Sequence, residues 1–162
     1  DIARSTPGQR FDLPAVATKP AAVSGALAPA VDEEAAAFVA DALRDPQRPV
    51  VLFALEWCEF CWSVRRLFDR LRIPFRSVDL DAVEYQPGDR GGRIRAALVA
   101  RTAMTTIPQV FVGGELVGGC TETFDAWRSG RLQSLLDAAR VQFDRSANVD
   151  PYTFLPSWLQ RR

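Results

Sequence analysis

The sequence predicts an α/β domain in which a four-stranded mixed sheet is flanked by helices. A continuous apolar run at residues 50–55 precedes a helical pattern at 61–71 and a second β-rich segment at 75–80. Such a strand–helix–strand order joins two parallel strands by a right-handed crossover. Residues 109–117 then read as two short strands with a pair of glycines between them, which is typical of an antiparallel hairpin.

The helices are predicted from apolar residues at helical spacing and from start and stop signals. The first helix begins after Asp32, a favourable N-cap, and ends before Pro46. A polar loop at 81–92 separates the second strand from a helix marked by apolar residues at 94–99. One last helix is expected over 121–139, which gives the element order α-β-α-β-α-β-β-α.

Three segments are expected along the chain. Residues 1–31 contain four prolines and many alanines without a helix or strand period, so they are predicted to be a linker or extension. Residues 32–139 form the predicted domain, with its core at 48–139. The tail, residues 140–162, is rich in apolar and aromatic side chains between 151 and 159, and we expect it to pack on the domain or against a partner.

Composition excludes several chemistries. The chain has no histidine, and Lys19 is its single lysine among 20 basic residues. Ser-His and Cys-His nucleophile pairs and histidine metal sites are thereby excluded, and lysine Schiff-base chemistry nearly so. The 20 basic and 20 acidic residues balance, so nucleic acid is not an expected partner.

No apolar run is long enough to predict a membrane span, and no signal peptide is recognisable. The sequence opens on aspartate rather than methionine, so we expect a processed chain or a piece of a longer polypeptide. A reducing, cytoplasmic compartment is expected from the three cysteines, or an organelle if the missing methionine reflects a removed transit peptide.

The segment Cys58-Glu59-Phe60-Cys61 lies where the first buried strand gives way to a helix. A cysteine at a helix N-terminus meets unpaired backbone N–H groups that favour a thiolate, and the second cysteine lies about one turn on. The pair is therefore predicted to be redox-active. Nearby charges oppose each other, with Glu56 and Glu59 on one side and Arg65 and Arg66 on the other.

Two alternatives stand beside the redox interpretation. One is a pair of inert buried thiols, and the other is a cluster or metal held between chains. A structural zinc site within one chain is excluded, because only Cys120 remains as a third cysteine or histidine ligand.

Three patches together resemble the glutaredoxin family of the thioredoxin superfamily. They are the strand followed by Trp57-Cys58-Glu59-Phe60-Cys61, the segment Thr106-Ile107-Pro108-Gln109-Val110-Phe111-Val112, and Gly118-Gly119-Cys120-Thr121-Glu122. The likeness covers roughly residues 48–139 and implies a thioredoxin-like fold.

The resemblance also implies a role for each patch. Cys58 would be the nucleophile and Cys61 the resolving thiol, with no metal bound. The glutathione-binding residues would be Phe60, Arg95, Ile107, Pro108 in a cis peptide bond, and the backbone N–H groups of Thr121 and Glu122. Simpler interpretations are a tight turn at Gly118-Gly119 and a solvated helix face at Arg95.

The sequence departs from the family pattern at three points, one of which is a stretch from Tyr85 to Gly92 that is longer than usual. Glu-Phe stands between the cysteines where Pro-Tyr or Gly-Phe is usual. Leu55 stands three residues before Cys58, where the family usually has a lysine, so one glutathione-binding cation is missing.

The resemblance implies an oxidoreductase that reduces protein disulfides or glutathione mixed disulfides, with glutathione as reductant and disulfide-containing or glutathionylated proteins as partners. One alternative is a scaffold that bridges an iron–sulfur cluster through Cys58 and glutathione. Another is a redox-regulatory domain of a larger enzyme, fused to it or docked through the tail.

Overall fold

The structure is a computed structural model that describes residues 31–160. Its helices are α1 (Glu33–Arg44), α2 (Glu59–Arg70), α3 (Arg90–Thr102), α4 (Cys120–Ser129) and α5 (Arg131–Ala138). Its strands are β1 (Val50–Ala54), β2 (Arg76–Asp79), β3 (Gln109–Val112) and β4 (Glu115–Gly118). Short 3-10 turns occur at Val83–Tyr85, Pro87–Asp89, Pro151–Phe154 and Ser157–Leu159.

The four strands form one mixed sheet in the order β2-β1-β3-β4. Strand β1 pairs parallel with β2 and antiparallel with β3, and β3 pairs antiparallel with β4. The register shifts between Val110 and Phe111, where β3 carries a bulge-like irregularity against β4. The predicted mixed sheet with flanking helices is confirmed.

Strand β1 supplies both faces of the hydrophobic core. Val50, Leu52 and Ala54 point into a cluster with α2, α4 and α5. Val51 and Phe53 point the other way, into a cluster with α1 and α3. Side chains along a strand alternate between faces, so a strand that is apolar at every position needs a helical layer on each side.

The predicted start of the first helix is confirmed. The Asp32 side chain accepts a hydrogen bond from the backbone N–H of Glu34 at 3.1 Å and so caps α1. Arg93 on α3 also forms an ion pair with Asp32. One carboxylate therefore both begins α1 and ties it to α3 on the same face of the sheet.

Three element boundaries differ from the prediction. The single helix expected over 121–139 is two helices, because Gly130 adopts φ 84° and ends α4 in the left-handed region. Helix α2 begins at Glu59 rather than Cys61. The loop expected over 81–92 is mostly two 3-10 turns, and α3 begins within its last residues.

The tail packs on α2 and α4. The backbone N–H of Asp144 donates to the Leu71 carbonyl at 2.7 Å, just past the end of α2. The Tyr152 ring meets Phe124 of α4 edge to face at 5.5 Å between centroids. The tail is therefore part of the packed structure up to residue 160.

Within residues 31–160, no helix is long and apolar enough to span a membrane. The linker predicted at residues 1–31 lies, apart from Val31, outside the described residues. The boundary predicted between residues 139 and 140 stays a prediction.

Substituting Gly91 by alanine should destabilise the domain, because an added Cβ would lie 1.9 Å from the Leu80 carbonyl oxygen. That oxygen belongs to the backbone after β2, so α3 must move away from it. We expect a loss of about 1–3 kcal/mol in the free energy of unfolding, measured by chemical denaturation.

Gly92→Ala is the matched control. Its Cβ would meet only the Asp89 carboxylate, 2.5 Å away at the end of a side chain that can rotate. Alanine also favours the helix by up to about 1 kcal/mol, so Gly92→Ala should cost far less. Equal losses for the two variants would contradict the argument.

Candidate active site

Cys58 lies at the N-cap of α2, four residues after Ala54, the last residue of β1. Its side chain is half-buried, and its Sγ accepts a hydrogen bond from the backbone N–H of Cys61, with 3.4 Å between nitrogen and sulfur. A donor at the start of a helix bonds more strongly to a thiolate than to a thiol. The fold thus presents one sulfur at the surface with a donor directed at it.

The loop before Cys58 is fixed by two further hydrogen bonds. The backbone N–H of Glu56 donates to Asp81 Oδ1 at 2.7 Å, and the Trp62 indole N–H donates to the Glu56 carbonyl at 2.8 Å. Trp57 is 82% exposed and packs edge to face on Trp62, with 6.0 Å between ring centroids. The loop that carries Cys58 is therefore bonded both to the segment after β2, through Asp81, and to α2, through Trp62.

The other two thiols are buried and held neutral. Burial and, second to it, a hydrogen bond with Cys58 raise the pKa of Cys61 to about 12. Burial also raises the pKa of Cys120 to about 12, assisted by the negative charge that Cys58 and Glu122 place nearby. Near neutral pH both groups remain protonated thiols beside Cys58.

One of the two arginines near the cysteines is already engaged by other groups. Arg65 forms an ion pair with Asp79 and donates to the Leu55 carbonyl at 3.4 Å. Because a nearer carboxylate already opposes its charge, Arg65 is not free to balance Glu56 and Glu59.

The peptide bond between Ile107 and Pro108 is cis, as the resemblance implied. The buried Gln109 side chain fixes the loop ahead of it. Its Nε2 donates to the carbonyls of Met104 and Thr106 at 3.1 and 3.3 Å. This loop is therefore held by a side chain that is only 1% exposed.

The start of α4 lies beside the cis proline. A Cβ built on Gly119 would be 3.4 Å from the Pro108 carbonyl oxygen, so the two backbone segments lie close together. No side chain caps α4 at Gly119, and the exposed Thr121 and Glu122 occupy its first turn. Thr121 Oγ1 donates to the Glu122 carboxylate at 3.1 Å.

Phe60, Ile107 and Arg95 also lie around this region. Phe60 and Ile107 are half-buried and pack against the cluster that contains Cys61 and Cys120. The Arg95 guanidinium, on α3, donates to the Thr105 carbonyl at 3.0 Å in the loop before the proline. The predicted site residues thus come from α2, α3, the proline loop and α4, and their roles stay predictions.

Sequence reasoning missed three residues that shape this site: Gln109, Asp81 and Trp158. Gln109 is a polar residue inside an otherwise apolar strand, and that departure was a usable signal. The contacts of Asp81 with Glu56 and of Trp158 with Glu59 had no sequence signal, because they join segments 25 and 99 residues apart.

No group of three or more cysteine or acidic side chains in residues 31–160 is arranged to hold a metal ion. Cys58 is the one thiol of that part of the chain that is not buried, since Cys61 and Cys120 are buried. These residues do not fit a metal held within a single chain.

Comparisons with known proteins agree on one family. The family model described as Glutaredoxin matches residues 50–117. Glutaredoxin-C1 of Arabidopsis thaliana is 34% identical over 101 residues, which cover 62% of this chain and 77% of that protein. Monothiol glutaredoxin-S10 of Oryza sativa subsp. japonica is 33% identical over 98 residues, 60% of this chain and 57% of that protein.

A solved structure agrees with these matches. The crystal structure of a buckwheat glutaredoxin–glutathione complex superposes with a TM-score of 0.56 at 32% identity. The match covers 67% of this chain and 96% of the buckwheat chain. The match to the rice protein, by contrast, spans little more than half of that protein's length.

Alkylation should distinguish the three thiols. In the reduced native protein at pH 8, iodoacetamide should modify Cys58 at least about 100-fold faster than Cys61 or Cys120. The reason is that a pKa of about 12 leaves the two buried groups as thiols, and burial blocks access to them. Mass spectrometry of the digested protein measures the modification at each site.

The same reaction in denaturant is the control, and there all three cysteines should react. Comparable modification of Cys61 or Cys120 in the native protein would contradict their burial.

Proposed function

Since the chain belongs to the glutaredoxin family of thiol–disulfide oxidoreductases, we propose that it reduces protein disulfides or glutathione mixed disulfides through Cys58 and Cys61. One observation carries the proposal: a half-buried sulfur at a helix start accepts a backbone hydrogen bond from a second, fully buried cysteine. That arrangement gives one thiol access to a substrate and keeps the other within reach of it.

Reduction begins at Cys58. Its thiolate attacks one sulfur of the substrate disulfide, and a new S–S bond forms as the old one breaks. The second substrate sulfur leaves with the electron pair and takes a proton. Before attack, the backbone N–H of Cys61 donates to Cys58 Sγ and so orients the sulfur.

Cys61 completes the reduction of a protein disulfide. Its sulfur attacks Cys58, releases the remaining substrate sulfur as a thiol, and leaves a Cys58–Cys61 disulfide. Burial keeps Cys61 protonated until then, which limits its reaction with other partners. Two glutathione molecules restore the dithiol and leave as glutathione disulfide.

The cleft between the cis proline and α4 is the proposed glutathione site. Uncapped N–H groups at the start of α4, a ten-residue helix, favour a carboxylate there. Arg95 lies at the adjoining loop and Phe60 beside the cysteines. The buckwheat glutaredoxin was solved as a complex with glutathione, which supports the same ligand here.

The cysteine variants test the mechanism. Cys58→Ser should reduce activity to the uncatalysed background with every disulfide, because the other two thiols, Cys61 and Cys120, are buried. Cys61→Ser should retain reduction of a glutathionylated peptide, since glutathione can replace the resolving thiol, but should lose reduction of an intramolecular protein disulfide. Steady-state kinetics with and without glutathione measure both effects.

Activity that persists in Cys58→Ser would overturn the proposal. The iron–sulfur scaffold makes a different prediction: the anaerobically purified protein would be a brown dimer whose visible absorbance depends on glutathione. We expect a colourless protein, because Leu55 replaces the usual glutathione-binding lysine and glutathione would be a ligand of that cluster.

Restoring a cation at position 55 should strengthen glutathione binding. Leu55 is half-buried at the end of β1, where a lysine would add positive charge close to Cys58. An ion pair at such a partly exposed site is worth up to about 1 kcal/mol, so Leu55→Lys should lower KM for glutathionylated substrates by about threefold to fivefold. High salt should remove the gain.

Leu55→Met is the control, because it keeps the size and the contacts with the α1/α3 cluster without adding charge. If the methionine variant improved KM as much as the lysine variant, the charge argument would be wrong.

A further inference from the structure

A groove of about 410 Å³ runs between α2 and the tail, directly beside the active site. Glu59, Trp62 and Arg66 line it from α2, and Phe154 and Trp158 line it from the tail. Its volume is within the range of about 300–1,000 Å³ that is usual for ligand sites. The groove shares no lining residue with the cis-proline loop or with the start of α4, so it is separate from the proposed glutathione cleft.

The wall nearest Cys58 is built by a contact between the tail and the active-site motif. The Trp158 indole N–H donates to Glu59 Oε2 at 2.7 Å. Trp158 is nevertheless 58% exposed and Trp62 39% exposed. Two large aromatic rings therefore remain open to solvent near Cys58. Trp62 lies one helical turn beyond Cys58, and Trp158 lies against Glu59, the residue after Cys58. Such rings are favoured at sites that bind polypeptides.

The tail holds its side of the groove in a defined position. Tyr152 Oη donates to Asp125 at 2.5 Å, and Arg128 both pairs with Asp150 at 2.8 Å and stacks on the Tyr152 ring. Gln160 Nε2 donates back to two tail carbonyls at 2.9 and 2.7 Å. The groove is therefore largely preformed, which lowers the entropy lost when a ligand binds.

The far end of the groove carries a positive charge. Arg66 is exposed, and no carboxylate within residues 31–160 forms an ion pair with it. Glu59, the one acidic residue of the lining, already accepts the Trp158 hydrogen bond. The Arg66 guanidinium is thus free to pair with a carboxylate on the ligand.

The spacing fits a polypeptide whose cysteine sits at Cys58. Arg66 is eight residues beyond Cys58 on α2, about 12 Å along the helix axis at about 1.5 Å per residue. An extended chain covers that distance in about four residues at about 3.3 Å each. The aromatic rings lie between the two ends.

We propose that this groove binds the protein substrate itself: an extended segment with an apolar or aromatic side chain about two residues from the attacked cysteine and an acidic side chain about four residues from it. The proposal rests on the disulfide reduction proposed above and adds its substrate class. Glu59, which lines the groove, is the residue directly after Cys58, so a substrate held by its disulfide at Cys58 lies next to this surface.

The test uses the full chain carrying Cys61→Ser, so that each molecule reacts once at Cys58. The substrate is the peptide Asp-Ser-Phe-Ser-Cys-Ser-Phe-Ser-Asp, symmetrical so that either chain direction fits, with its cysteine joined to thionitrobenzoate. Cys58 attacks the peptide sulfur and forms the mixed disulfide. Thionitrobenzoate leaves with the electron pair, and its colour reports the rate.

Comparison peptides carry lysine for aspartate or serine for phenylalanine. The thionitrobenzoate disulfide of 2-mercaptoethanol, too short to enter the groove, is the reference substrate. We expect half-saturation for the acidic aromatic peptide at a concentration about fivefold lower than for the lysine peptide, and about tenfold lower than for the serine peptide.

Arg66→Glu should reverse the preference between the acidic and basic peptides. Arg70→Glu, the same charge change one turn further along α2 and outside the groove, should leave the preference in place. Trp158→Ala should raise half-saturation for the aromatic peptide about tenfold relative to the reference substrate. Trp158→Phe, which keeps a smaller aromatic ring and loses the N–H donor, should raise it less.

Equal half-saturation for all peptides, or an Arg66→Glu variant with unchanged preference, would overturn the groove proposal while leaving the disulfide chemistry intact. Failure of Cys58 to react even with the reference substrate would instead overturn the proposed function. A dimer in sedimentation equilibrium that dissociates with Arg66→Glu would assign the groove to a second copy of the chain and likewise overturn the proposal.

Discussion

The position of Cys58 depends on the complete burial of strand β1. Its five side chains are 0% exposed and divide between two cores, and both of its edges are paired with neighbouring strands. Only residues 55–57 separate the end of this strand from Cys58, so the connecting loop can absorb little movement. The packing that stabilises the sheet therefore also fixes the distance between the reactive sulfur, the proline loop and α4.

Near the end of this buried strand, the site brings together three thiols whose surroundings differ. Cys61 and Cys120 lie in the hydrophobic cluster under α2 and α4, where the low polarity disfavours their ionised forms. Cys58 lies at the edge of the same cluster and has a backbone donor. The two buried thiols therefore stay protonated, whereas the half-buried Cys58 is accessible to a substrate.

The fold and the cysteines could be predicted because local patterns determine them. The apolar run of β1, the glycines of the hairpin and the Cys-x-x-Cys spacing each specify their own element. Gly130 was harder, because a glycine inside an apolar helical pattern is compatible with either a continuous helix or a break. Here its left-handed conformation divides the expected helix.

Contacts between distant segments could not be predicted in this way. Nothing in the residues around Trp158 specifies a partner, and its hydrogen bond to Glu59 depends on how the whole tail crosses α2 and α4. The aromatic content of the tail indicated that it would be covered, but the face that covers it follows only from the three-dimensional packing.

The two outer strands of the sheet have a consequence for how this molecule meets others. Strands β2 and β4 are each four residues long, and each begins with a charged residue, Arg76 in β2 and the exposed Glu115 in β4. The pairing of β4 with β3 is also irregular, because its register shifts between Val110 and Phe111. Short, charged and irregular edges discourage a further strand from adding to a sheet. Association by sheet extension is disfavoured at both margins, which directs recognition to the helical surfaces and to the end of the sheet where the sulfur lies.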